Sequence, residues 1–284
     1  MLKLFARKKT DPESQLREIL DGYELPTFPA IYLEALQQLR DTESSMGALA
    51  DVLATDPGLT ARLLRTVNSA AFGLRSQVTS VHHAVSMLGR GHVESMLVSL
   101  ASHSALPSDP CGGFEPERFW LAAARRAAVA RALADRVSPA ERSECFTAAL
   151  LSDMAIPMLC SRKGEAYARI VQQWHDGHGE LQVMELEAFG WDHAQVAAMM
   201  CSEWDFPDVI AEAIASHHGG DDPEMRVLPA VNLAALIPEV DAEAHIEELT
   251  QQIHESTGLE PSDVHALVEE SFRHAKEIAE QFTA

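Results

Sequence analysis

The chain has 284 residues, room for one large domain or two small ones, and its 46% hydrophobic and 23% charged side chains exclude wholesale disorder and collagen-like or low-complexity architecture. Against 22 Lys and Arg stand 43 Asp and Glu, a formal charge of −21, with 15 acidic residues and only 3 basic ones between Asp221 and Ala284; a field of that sign repels phosphate backbones and speaks against nucleic acid as a partner. No apolar run approaches the ~18 residues that a membrane-spanning helix needs, so the chain reads as soluble with no membrane span.

Residues 1–17 form a basic extension, with Lys3, Arg7, Lys8 and Lys9 around Leu2, Leu4 and Phe5. It lacks the apolar stretch and cleavage site of a secretory signal and reads as a frayed terminus. Phe28-Pro29 opens a helix carrying Ile31, Ala35, Leu36 and Leu39 inward, because a proline in the first turn gives up no helical hydrogen bond. Asp56-Pro57 repeats the device, with Asp56 placed to accept from the free N–H groups of the next turn and Leu59, Leu63, Leu64 and Val67 facing the core. At the end of that helix Asn68-Ser69 can bond freed backbone groups locally, and Gly73 permits a turn with positive φ.

Helical spacing then predicts elements at 80–88 and 91–105, followed by a break from Pro107 to Pro116 that reads as a subdomain boundary. A long helix at 116–136 follows. Ser138-Pro139-Ala140-Glu141 has the spacing of a capping box for a helix burying Phe146, Leu150 and Leu151, which Pro157 should end or kink. Further helices fall at 164–175, 193–204, 207–216, 227–236, 243–254 and 262–281. No stretch alternates between apolar and polar for long, so the fold class is all-α. Residues 241–284 keep an apolar stripe through Val264, Leu267, Val268, Phe272 and Ile278 under acidic outer positions, as a docked helical appendage would.

The residue types that carry chemistry give little by spacing alone. Cys111, Cys145, Cys160 and Cys201 form no Cys-x-x-Cys pair and read as reduced thiols of a cytoplasmic protein. Of 13 histidines, His175 and His178 are separated by Gly177 and read as a surface turn; His254-Glu255 lacks the second histidine of a zinc-protease helix. There is no nucleophile elbow, phosphate loop or dinucleotide fingerprint. Glu185 with Glu187, and Asp221-Asp222, read as solvated carboxylates; Trp120 and Trp204 read as core.

Asp56-Pro57-Gly58-Leu59, then Leu63-Leu64, Asn68-Ser69-Ala70 and Phe72-Gly73, resemble the signature of the HDOD family, a bacterial output-domain relative of the HD phosphohydrolases. Leu25-Pro26, Ala84-Val85, Leu88-Gly89, Phe119-Trp120, Trp204-Asp205-Phe206-Pro207 and His217-His218 follow in the family's order, and the resemblance spans about 18–240. It implies a multi-helical HDOD domain with an N-terminal helical half (18–106) and an HD-like half (114–240).

HD phosphohydrolases hold divalent metal with a histidine, a His-Asp pair and a distal aspartate. In this chain Ala122 stands near the first histidine, the pair is Ser152-Asp153, and no acidic residue occurs between Met225 and Pro238, where the distal aspartate should fall. The resemblance therefore implies no cofactor, no catalytic metal and no catalytic residue: a non-catalytic, cytoplasmic signalling module acting through protein–protein contact. Asp153, His193, His217 and His218 are candidates for a vestigial pocket. Two alternatives stay open: a nucleotide receptor, for instance for cyclic di-GMP, with Trp120, Arg125 and Arg126 beside the emptied pocket, and a divergent metal-dependent phosphohydrolase built on those same four residues.

Overall fold

A computed structural model describes residues 12–41, 43–68, 76–107, 111, 114–219 and 227–283. Among them there is no strand, as the absence of alternating patterning predicts. The signature residues Ser69, Phe72 and Gly73, the basic positions Lys3, Arg7, Lys8 and Lys9, and Asp221-Asp222 lie outside the described residues.

The first half is built from α1 (Pro12–Ile19), α2 (Ala30–Arg40), α3 (Met46–Ala54), α4 (Pro57–Asn68) and α5 (Val81–Ala105). Asp56 caps α4 as expected, its Oδ1 accepting from the Leu59 amide at 2.6 Å, and Leu59, Leu63 and Val67 are buried while Leu64 is only partly so. The helices predicted at 80–88 and 91–105 join as α5 through a kink at Gly89, whose φ of 72° and ψ of 171° only glycine adopts without strain. Asn68 does more than end its helix. Its side-chain amide donates to the carbonyls of Leu64 (2.8 Å) and Val78 (2.7 Å), and its Oδ1 accepts from the Val78 amide (2.7 Å), tying the end of α4 to the approach of α5.

Two helices of this half escape the periodicity. Helix α3 is capped by Ser45, which accepts from the Ala48 amide, and buries Leu49, Ala50 and Leu53. Helix α1 starts inside the stretch read as a basic extension, and Leu16, Ile19 and Leu20 belong to the core.

The second half is centred on α6 (Pro116–Val137), a helix buried on nearly every side. Its Ala122, Ala123, Ala124, Ala127, Ala128, Ala130 and Ala134 are small enough for backbones to approach closely, and α7 (Arg142–Leu151), α13 (Pro229–Ala235) and α15 (Pro261–Thr283) all pack on it. Ser138–Glu141 forms no capping box; a single 3₁₀ turn leads into α7 and Ser138 makes no side-chain cap. The chain breaks at 152–154 and resumes as α8 (Ala155–Lys163), with Pro157 in its first turn, where a missing N–H costs nothing. The stretch Pro139–Lys163 taken end to end is long and apolar enough for a membrane span, contrary to the expectation from the sequence, but 89% of the apolar window is buried inside the protein and the 152–154 break divides it.

Then follow α9 (Glu165–His175), α10 (Leu181–Phe189), α11 (His193–Glu203), α12 (Asp208–Ala215) and α14 (Ile246–Thr257). The acidic appendage is part of the core. Helix α15 buries Val264, Val268, Phe272, Ala275, Ile278 and Phe282 against α6 and also reaches α4, joining the two halves. The halves meet again where Phe28 packs on Trp204 and Phe206 (4.9 and 5.9 Å between centroids), the Trp204 indole donates to the Pro26 carbonyl, and Lys163 pairs with Asp21.

Removing the Asn68 tether by Asn68→Ala is expected to lower stability by about 1–2 kcal/mol, read as a lower urea midpoint with an unchanged m-value. A second expectation concerns His92 on α5. Burial first, then repulsion from Arg131 and Arg142, lowers its pKa to about 4. A buried neutral histidine stabilises fully above its unfolded pKa, near 6.5, and that contribution is lost as pH falls from there towards 4. Between pH 7.5 and 5 the wild type should lose more stability than His92→Gln; equal losses would show that His92 does not carry the effect.

Candidate functional site

The break between α7 and α8 turns Asp153 inward, and α6 brings Arg126 to meet it. Arg126 is 6% exposed and so is Asp153; one guanidinium nitrogen donates to Asp153 Oδ2, while its Nε donates to the Ile237 carbonyl at 3.0 Å. Burial alone would raise the Asp153 pKa, but the Arg126 charge, joined by His193 and His217, outweighs it and holds the carboxyl well below the usual range.

On the other carboxylate oxygen the histidines converge. His193 opens α11 behind Asp192, whose side chain caps the helix by accepting from the Gln195 amide. His193 Nε2 lies 3.4 Å, and His217 Nε2 3.3 Å, from Asp153 Oδ1. His218 Nε2 is 2.8 Å from His193 Nε2. His217 and His218 occupy the turn that ends α12, and Asn232 of α13 fixes that turn by donating to the carbonyls of Ser216 and His217.

Glu185, read from the sequence as a solvated carboxylate, is fully buried. It accepts from the Tyr167 hydroxyl on one oxygen and from both the His193 backbone amide (2.9 Å) and His193 Nδ1 (2.6 Å) on the other. Burial on its own would lower the His193 pKa; Glu185, and then Asp153, overcome it and raise the pKa to about 10. The ring of His218 reaches solvent at the cleft mouth, yet its inner edge is enclosed, and desolvation followed by repulsion from His217 and His193 lowers its pKa.

These groups line a cleft of about 360 Å³ with Trp174, Leu181, Gln182, Leu236 and Pro238 on its walls. All four predicted pocket residues come together there. The companions proposed for a nucleotide do not. Arg125 pairs with Glu243 and lies over the Phe272 ring at 4.9 Å; Trp120 stacks on Phe282 in a separate cleft; Arg126 lines this one but is committed to Asp153 and Ile237. Nor do His175 and His178 share a surface turn: His175 is drawn in to Glu239 (3.2 Å) beside Arg118, and only His178 stays exposed.

The HDOD domain model matches residues 25–219. The chain belongs to the HDOD family. The fold is similar to that of a Shewanella amazonensis protein called "Putative phosphohydrolase" (TM-score 0.74, 24% identity, 95% of this chain and 98% of that one). It is also similar to a Marinobacter aquaeolei protein called "Putative signal transduction protein" (TM-score 0.70, 23% identity, 97% of this chain and 67% of that one). An uncharacterized protein of Treponema pallidum is 20% identical over 235 residues, 81% of this chain, and the match takes in 45% of that protein's length.

The metal set implied by HD phosphohydrolases does not fit this member of the HDOD family. Ala122 has no donor atom, Ser152 Oγ is turned back to the Ala149 carbonyl at 3.0 Å, Asn232 spends its amide on two carbonyls, and Asp153 Oδ2 is held by Arg126. Among the described residues the only cluster able to hold a metal is a different one, His193, His217 and His218.

Because Arg126 and Asp153 are both buried, removing one leaves the other uncompensated. Arg126→Met is expected to cost about 3–5 kcal/mol, and adding Asp153→Leu to recover the larger part, in a double-mutant cycle followed by urea unfolding.

Proposed function

We propose that this HDOD protein is a non-catalytic regulatory module that acts through contact with a protein partner in the cytoplasm. The observation that carries the reading is Arg126. Its guanidinium is bound to the single aspartate retained from the hydrolytic ligand set, so a fixed side-chain charge stands against the carboxylate that a hydrolase of this lineage uses for its metal. Water activation by such a metal is how these enzymes make their nucleophile at neutral pH, and the chain supplies no substitute donor at Ala122 or Ser152.

Other features support a role in signalling. The name of the Marinobacter relative points the same way. The four cysteines are free, and burial raises the pKa of Cys145 and Cys201, which suits inert thiols in a reducing compartment. Acidic outer positions on α14 and α15, among them Glu247, Glu248, Glu255 and Glu269, favour a partner with a basic face through faster encounter. A phosphate-bearing ligand in the cleft is disfavoured, since Arg126, the one Arg or Lys lining it, is already neutralised.

The test is turnover. The full chain, supplied in turn with Mn²⁺, Fe²⁺ and Ni²⁺, is expected to hydrolyse neither bis(p-nitrophenyl) phosphate, p-nitrophenyl phosphate nor cyclic di-GMP above background, and to show no thermal shift with nucleotides. A ligand at a hundred times its Kd would stabilise by about 2.7 kcal/mol, so binding of that strength would be visible. Turnover that disappears in Asp153→Asn would overturn the reading.

A further inference from the structure

A second cleft, of about 720 Å³ and so twice the volume of the histidine cleft, opens where α5 ends, α6 begins and α15 finishes. Its apolar lining includes Leu106, Pro107 and Phe114, all three only partly buried, and Trp120 and Phe282, whose rings stack at 4.9 Å between centroids. Glu115 and Glu117, both exposed, also line it, and no Arg or Lys does. Glu115 is partnered by Arg118, whereas Glu117 has no ion-pair partner among the described residues. His103 adds an unmet acceptor. Its Nε2 lies 2.7 Å from the Phe282 carbonyl, to which it can only donate, so Nδ1 keeps a lone pair, and that atom is buried with no partner among the described residues. Apolar walls, uncompensated carboxylate and an acceptor to satisfy suit an occupant that is apolar, cationic and supplied with N–H donors.

The chain holds such a segment itself. Residues 1–11 carry Leu2, Leu4 and Phe5 with Lys3, Arg7, Lys8 and Lys9, against a single acid, Asp11. They take four of the 22 Lys and Arg but one of the 43 Asp and Glu, which leaves −24 on the remainder. Their attachment lies within reach of the cleft. Lys163, at the end of α8, pairs at 2.8 Å with Asp21 just beyond α1, and Pro157, which lines the cleft, stands six residues earlier on α8, about 9 Å along its axis. Helix α1 adds about 12 Å back to Pro12, and eleven residues extend to about 36 Å. A tethered segment meets a site on its own chain at roughly millimolar effective concentration, so contacts too weak to hold a separate peptide keep it docked. A second copy is a poorer source, because two bodies of this charge repel each other.

We propose that residues 1–11 dock on their own chain in this cleft, with Leu2, Leu4 and Phe5 against its apolar walls and the basic side chains at Glu115 and Glu117. The docked segment covers apolar surface that otherwise faces water. It also clips the end of α5, in the first half, to the start of α6, in the second, across the 107–116 connection.

The full, untagged chain is made with the photoreactive amino acid p-benzoylphenylalanine in place of Phe5, irradiated at micromolar concentration, digested and read by mass spectrometry. Cross-links within one chain are expected, concentrated on 103–107, 114–120 and Phe282. Glu117→Lys, a change at an exposed position that leaves the fold standing, turns an attraction at the cleft into a repulsion and should lower the cross-linking yield about fivefold. Raised salt should lower it too, since the contact is partly ionic and solvent-exposed. Glu247→Lys, an equal charge change on α14, should leave the yield as it is. Cross-links scattered over the surface, cross-links between two chains, or a yield indifferent to Glu117→Lys would each overturn the proposal. The regulatory reading is decided by turnover and is untouched by either result.

Discussion

A helix buried on nearly every side can carry a charge in its middle only if another part of the fold comes to meet it, and α6 carries two in succession. Arg125 and Arg126 are both 6% exposed. Leaving either guanidinium without a partner inside the protein would cost several kcal/mol, so the surroundings of α6 are organised around their neutralisation. Arg126 draws in the 152–154 turn through Asp153 and the end of α13 through the Ile237 carbonyl. Arg125 draws in the segment leading to α14 through Glu243 and lies against α15 through Phe272. The alanines between and around them let those elements approach closely enough for the pairs to form.

The same constraint shapes the cleft. Asp153 faces two ways, one oxygen on Arg126 and the other towards His193 and His217. Around it stand Ala122, a Ser152 hydroxyl bonded within its own turn and an Asn232 that braces the His217-His218 turn. The other side keeps its histidines, supported by buried hydrogen bonds to Glu185 and Ile214. Buried polar groups of this kind are costly unless satisfied, and Glu185 and the Ile214 carbonyl satisfy the Nδ1 atoms of His193 and His217.

The C-terminal segment shows how composition misleads about position. Its excess of acid is real, yet it sits on the outer face of helices whose inner face closes the core between the two halves. Solvated charge on one face and buried Phe272, Ile278 and Phe282 on the other are the two sides of one amphipathic helix.

Periodicity and caps made the helical class, the α4 cap at Asp56 and the course of α6, α9, α11 and α12 legible in the sequence, because these depend on residues within one or two turns of each other. Local spacing also placed the break near Pro157, though not the missing capping box at Ser138, where the backbone took a 3₁₀ turn instead. Helix α10 was missed because Glu185 and Glu187 look solvated when nothing shows that Tyr167 and His193 lie over one of them. Eight residues separate Glu185 from His193, but what makes the glutamate buried is the packing of α9, α10 and α11. The family could be read from ordered motifs along the chain. Which of the remaining residues meet, that Arg126 occupies one oxygen of Asp153 and three imidazoles converge near the other, was decided by tertiary structure alone, since those side chains come from segments up to 92 positions apart and only close packing around α6 brings them together.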